Sequence, residues 1–192
     1  MGVRRRLRID LPVWAREESR REAAGGKVEW EKEAALKMDT VLQIIRESGG
    51  FQTGKPISIE NEPWMRLVIE VLSELGPDGH VVVSVAHYGE QNSDLMRDPE
   101  MTFEVVEKDG GTELWPFYFR NDYVGVEQWS RYRNESGALV CLPQRTRDME
   151  AFAKMWDRNL NAQGFLEAFR RKPGAKAAVE RSSSDGRRES AM

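Results

Sequence analysis

Residues 80–132, HVVVSVAHYGEQNSDLMRDPEMTFEVVEKDGGTELWPFYFRNDYVGVEQWSRY, decide the fold, because only here does the apolar spacing run for long with the period of strands. Val81, Val83, Val85 and His87 share one face of a first strand; Val82, Ser84, Ala86 and Tyr88 share the other. A second strand is predicted over 101–108, with Met101, Phe103 and Val105 to one side, and a third over 113–120, with Trp115, Phe117 and Phe119 in phase. Asp109-Gly110-Gly111 between them reads as a tight hairpin, since glycine accepts the positive φ that such turns require. Pro116 cannot donate to a ladder, which predicts an edge position or a bulge near it. A fourth strand over 124–132 completes an antiparallel meander.

Helices are expected to pack against this sheet. From Glu31 onward Ala35, Met38, Val41, Leu42 and Ile45 recur at helical spacing, and Ser48-Gly49-Gly50 supplies the stop. After a short extended piece over 57–60, Asn61 reads as an N-cap and Pro63 as a first-turn residue of a second helix. Its stripe would be Trp64, Leu67, Val68, Val71, Leu72 and Leu75, closed by Gly76-Pro77. Thr146 reads as the cap of a third, with Met149, Phe152, Trp156 and Leu160 buried and Gly164 interrupting before Phe165, Leu166 and Phe169. The predicted class is α+β: an antiparallel sheet of about four strands with three main helices packed largely on one face.

The chain has 192 residues, enough for one sizeable core. It divides into an N-terminal extension, 1–30, with a short helix over 11–24 after Asp10; one α+β domain, 31–170; and a tail, 171–192, whose Pro, Gly, Ala, Ser and charged residues predict disorder. The net charge of −3 is uneven. Residues 1–30 carry eight Lys or Arg against five Asp or Glu, and residues 170–192 seven against three, so the body between them stands at −10. An acidic body is poorly suited to hold a phosphate backbone over a broad face, and nucleic acid is expected to touch only the basic arms, RRRLR among them. No apolar run approaches a membrane span, the N-terminus lacks an apolar core after its arginines, and the single cysteine, Cys141, leaves no internal disulfide. A cytoplasmic protein with no membrane partner is expected.

Strand direction gathers the polar residues. If the first strand runs upward, an eleven-residue loop over 89–99 lies at the top, and the third strand returns Arg120-Asn121-Asp122 to the same end. Glu90, Asp94, Arg97, Asp98, Arg120, Asn121 and Asp122 are the candidate binding residues, with His87, Gln91, Asn92 and Glu100 nearby. Converging carboxylates of Glu90, Asp94, Asp98 and Asp122 fit a hard cation, but their spacing matches no defined loop, and these residues read better as builders of the loop itself, turn formers with Arg97 or Arg120 neutralising the carboxylates. His87 flanked by Glu90 has the makings of a general base; in phase with three valines, it reads better as a strand-end histidine bonded to a loop carboxylate. Cys141 sits in the apolar string ALVCLP and reads as a small buried residue. No nucleophile elbow, phosphate loop or HExxH occurs, and no cofactor, metal or catalytic residue is assigned. The sheet aromatics lack the interleaved basic residues of an RNA platform and read as core.

The strings VLQIIRESGGFQ, ISIENEPWMRLVIE, VSVAHYGEQNSDLMRDPEMTFEV, PFYFRNDYVGVEQWSRY and MWDRNLNAQGFLEAF resemble an uncharacterised domain family of bacteria, phages, plasmids and integrative conjugative elements, over about residues 38–169. The resemblance implies that residues 1–37 are an extension and that Met38 can itself serve as a start. It also implies a glycine where this chain has Ser93; a serine enters the turn readily if φ there is negative, so the departure leaves only the turn type open. The family brings no established catalytic residue. Its genomic company implies an accessory protein of mobile elements that binds a protein, such as a host defence complex of the restriction or CRISPR type. The alternatives are a divalent-metal-dependent enzyme acting on nucleic acid and a nucleic-acid-binding protein using its arms.

Overall fold

Six strands follow one another in chain order across a single antiparallel sheet: β1 (Ile57–Asn61), β2 (Trp64–Leu75), β3 (Val81–Gln91), β4 (Asp94–Lys108), β5 (Gly111–Asn121) and β6 (Val126–Trp129). Short strands β7 (Arg131–Arg133) and β8 (Leu139–Cys141) pair separately. The helices are α1 (Asp39–Glu47), α2 (Pro143–Ala162) and α3 (Phe165–Arg171). This computed structural model describes residues 38–172; the expected helix over 11–24, both basic arms and most of the tail lie outside the described residues.

The α+β class with three helices and an antiparallel sheet is as expected, but the sheet has six strands rather than about four. The difference arises at 57–75. The predicted second helix is instead β2, paired with β1 across a turn at Glu62-Pro63 and with β3 on its other side. Leu67, Ile69 and Val71 are buried at a period of two. Val68 and Leu72 on the opposite face are half-buried as well, so apolar residues on both faces of one strand imitate a helical stripe. Asn61 pairs with Trp64 in the ladder, and its side-chain amide donates to Gln163 O at 2.8 Å rather than capping a helix.

The core lies between one sheet face and the helices. Leu67, Ile69, Val83, Val85, Met101, Phe103 and Leu114 meet Val41, Ile44 and Ile45 of α1, Met149, Ala153 and Leu160 of α2, and Phe165 and Phe169 of α3. In β4 and β5, Thr102 opposes Tyr118 while Phe103 opposes Pro116, so Phe117 is the extra residue of a bulge beside Pro116, one of the two outcomes that proline predicted. The bulge resets the phase. Leu114 and Phe119 both join the helix-side core although five positions apart, while Trp115 falls on the opposite face with Glu104, so Trp115, Phe117 and Phe119 do not share a side.

On that opposite face Trp129, Tyr132 and Leu142 form a second small cluster with Tyr118 and Val140. The expected fourth strand breaks at buried Ser130, where the chain leaves the main sheet to form β7. Thr146 is not a cap: α2 begins earlier, with Pro143 in its first turn, and the Thr146 hydroxyl donates to Leu142 O at 3.1 Å. Gly164, at φ +81°, separates α2 from α3.

Candidate functional site

The expected eleven-residue loop does not exist. β3 continues to Gln91, Asn92 and Ser93 turn the chain, and β4 begins at Asp94, so Gln91 pairs with Asp94, Glu90 with Leu95 and Gly89 with Met96. Asn92 at φ +54° and Ser93 at φ +69° are both left-handed, as the two-residue turn that matches strand twist requires. The turn type left open at Ser93 is thus one with positive φ, not the negative φ that suits a serine. What read as a polar loop is a projecting hairpin.

The strings around Arg97 and Arg120 do meet. Arg97 N donates to Asp122 Oδ2 at 2.9 Å, and Asp122 N donates back to Arg97 O at 2.9 Å. Asn121 Nδ2 donates to Asp98 Oδ1 at 2.5 Å, and Arg120 Nε to Asp122 Oδ1 at 2.5 Å. Arg97 Nε lies 2.9 Å from Glu100 Oε2, an ion pair without hydrogen-bond alignment, while Glu100 Oε1 accepts from Ser84 Oγ at 2.7 Å. Burial pushes the Asp122 carboxyl up, yet the Arg97 amide and the Arg120 guanidinium outweigh it and hold the group below its ordinary value. Five of the seven candidate residues thus satisfy one another and pin β4 to the end of β5. Glu90 and Asp94 stay outside this network, exposed along the hairpin.

His87 is not at the polar end. It is buried on the core face, with its ring 5.6 Å from Trp156 and 5.3 Å from Phe165. Its Nδ1 lies 3.0 Å from Met65 O, so it is bonded to a backbone carbonyl rather than to a loop carboxylate. A carbonyl only accepts, which assigns the proton to Nδ1, and burial lowers the pKa. Cys141 is half-buried and its thiol is pushed up to about 11, by burial first, against the nearby Arg131. Among the described residues, no three His, Cys, Asp or Glu side chains are grouped to hold a metal ion. None of their helices is long and apolar enough to cross a membrane.

A feature of this end that the sequence reading missed is apolar. Trp64, Met65, Leu95, Tyr123 and Val124 are all exposed, and all five belong to turns or strand ends at the end of the sheet that carries the β3–β4 hairpin tip. Assigning 64–75 to a helix placed Trp64 in its buried stripe and gave Met65 no role; the Glu62-Pro63 pair, read as a turn, would have put both beside the hairpin tip. Met65 and Tyr123 converge over Gly89, where a Cβ would stand 2.5 Å from Tyr123 Oη and 3.0 Å from Met65 Sδ.

No curated protein and no solved structure matches this chain. A family model, by its description a domain of unknown function (DUF6908), matches residues 39–166, from the first residue of α1 into α3 and thus the whole six-stranded sheet. The chain belongs to the DUF6908 family.

Proposed function

We propose that this chain is an accessory protein of mobile genetic elements that acts by binding another protein, its target being a host defence complex of the restriction or CRISPR type. The observation that carries protein binding is the concentration of Trp64, Met65, Leu95, Tyr123 and Val124 at one end of the sheet. Single exposed apolar residues are ordinary on any surface, whereas several large ones gathered beside polar groups are the composition of a protein interface. The seven polar candidates divide between two roles. Arg97, Asp98, Arg120, Asn121 and Asp122 hold the end in shape through their mutual bonds, and Glu90 and Asp94 face the partner. The choice of target rests on the genomic company of the domains this chain resembles, which is an argument by association.

Expression in cells carrying a defined restriction or CRISPR nuclease tests the reading. The expected result is raised survival of an incoming phage, with a nuclease subunit co-purifying on the tagged chain. Equal survival with and without the chain, and no co-purifying subunit, overturn it.

A further inference from the structure

On the sheet face turned away from the helices, β7 and β8 lie over one end, against Tyr118, Trp129 and Glu104. At the other end, beside the β3–β4 hairpin tip, three adjacent strands present a single row. Glu90 of β3 pairs with Leu95 of β4, and the β2–β3 register, continued two residues past Arg66 and Tyr88, sets Trp64 on the other side of Glu90. The register does continue, since Met65 Sδ stands 3.0 Å from the place of a Cβ on Gly89, its partner by the same count. His87 points to the helices, so Glu90, three positions on, points to the open side, and Trp64 and Leu95 with it. Trp64 is 46% exposed, Leu95 58%, and Glu90 is exposed between them.

The row reads apolar, acidic, apolar, and its charge is unmatched. In the next row of the same face Arg66 and Arg97 flank Tyr88, but both are engaged elsewhere. Arg66 lies 3.9 Å from Glu60 with its guanidinium 5.8 Å from the Tyr88 ring centroid, and Arg97 lies 2.9 Å from Glu100. Among the described residues neither Glu90 nor Glu62, in the turn before Trp64, takes part in an ion pair. The uncompensated charge is therefore negative. Nucleic acid and anionic lipid bring phosphate to it, and a second copy brings the same carboxylate; each is repelled, whereas a cationic side chain is attracted. Trp64 decides which cation suits the row. A planar guanidinium stacks on an indole and bonds a carboxylate through two parallel N–H groups, which an ammonium does not. Leu95 on the far side helps to exclude water, which strengthens the ion pair.

We infer that this row binds an arginine side chain of a partner protein: the guanidinium pairs with the Glu90 carboxylate and lies on the Trp64 ring, and an apolar neighbour of that arginine packs on Leu95. This rests on the protein-binding reading above and names the chemistry of the partner. Glu90 selects the charge, and Trp64 selects arginine over lysine.

The test uses the full chain and four synthetic peptides: one of arginine, leucine and serine, and the same peptide with citrulline, lysine or glutamate in place of arginine. The arginine peptide is expected to bind by fluorescence anisotropy and to shift the NMR signals of the Trp64 indole N–H, Glu90 and Leu95. The lysine peptide is expected to bind more weakly, and the citrulline and glutamate peptides about tenfold or more weakly. Glu90→Gln and Trp64→Ser are each expected to weaken the arginine peptide by about tenfold with the melting temperature unchanged, and Trp64→Ser to abolish the preference for arginine over lysine. No arginine-dependent binding, equal binding of the citrulline peptide, or signal shifts confined to other residues overturns the proposal. So does a wild-type dimer in sedimentation that Trp64→Ser dissociates, since the occupant is then a second copy. Undiminished nuclease co-purification by the Trp64→Ser, Glu90→Gln double variant would overturn the row as the contact while leaving protein binding standing; failure of the phage assay alone would remove the target and leave the peptide result intact.

Discussion

At the scale of single residues, Ser93 and His87 are each held in a state their type resists. Ser93 sits at φ +69° as the second residue of the β3–β4 turn, where glycine carries no Cβ penalty. Ser93→Gly removes that penalty and adds some unfolded-state entropy, so the expected net gain is about 0.5–1 kcal/mol, read as a higher urea midpoint at unchanged slope. His87 donates from Nδ1 to Met65 O within the core, and burial depresses its pKa from the ordinary 6.5. Below pH 6.5 the unfolded chain therefore takes up a proton that the folded chain resists, and stability falls as pH drops below that value while remaining complete above it. Denaturation of wild type and His87→Gln across pH 5 to 8 is expected to show a smaller acid loss in the variant, whatever its stability at pH 8. Parallel curves would mean that His87 does not titrate on unfolding. Neither state was readable beforehand, because turn type depends on ladder register and the histidine's neighbours come from α2 and α3, more than sixty residues away.

At the scale of elements, the N-terminus of α1 is held by a residue from another helix. Met38 offers no side-chain cap, and the Thr40 and Val41 amides donate instead to the two carboxylate oxygens of Asp157 on α2, each at 3.2 Å. Burial raises the Asp157 pKa, while these amide bonds pull the other way. Asp157→Ala orphans two donors at a buried helix end and is expected to cost about 1–3 kcal/mol, with Asp157→Asn costing less because one oxygen remains. Hydrogen exchange checks the mechanism: the amides of Thr40 and Val41 should lose protection in the alanine variant beyond the global change. Sequence patterning does not reach such a contact, since residues 40 and 157 meet only through the fold. What it does reach are α1 and α2, which keep a wet face, and the core sides of β3 and β4, whose large apolar residues recur strictly at a period of two although both faces are buried. It fails where the apolar spacing also fits a helix, as at Leu67, Val68, Val71 and Leu72 of β2, and where one inserted residue shifts phase, as at Phe117 of β5.

At the scale of the whole molecule, a buried ionic group joins parts of the chain that the hydrophobic core does not. On the face away from the helices, Arg131 of β7 is paired with Asp78 in the β2–β3 turn and lies 3.1 Å from Glu104 Oε2 of β4, its guanidinium 5.3 Å from the Trp115 ring centroid. Glu104 is fully buried and also accepts the Asp78 amide at 2.8 Å and the His80 amide at 3.3 Å. A side chain at Gly76 would collide with this carboxylate, its Cβ falling 2.6 Å from Glu104 Cδ. The strings PDGH, TFEVV and WSRY, each unremarkable alone, are thus tied together through Glu104 and Arg131. Burial raises the Glu104 pKa, and Arg131 opposes that rise. Arg131→Met therefore leaves a buried carboxylate without its cation, at an expected cost of about 3–5 kcal/mol near pH 8. The sign with pH follows from linkage. Without Arg131 the folded-state pKa of Glu104 moves further above its unfolded value, so the folded variant binds a proton that the unfolded chain does not, and the penalty shrinks as pH is lowered. Adding Glu104→Gln keeps an acceptor for the two amides and removes the charge, so the double variant is expected to be more stable than Arg131→Met alone near pH 8 and to lose the extra pH dependence. A double variant no more stable than Arg131→Met, or a penalty independent of pH, would show that Arg131 contributes by packing against Trp115 rather than by balancing Glu104.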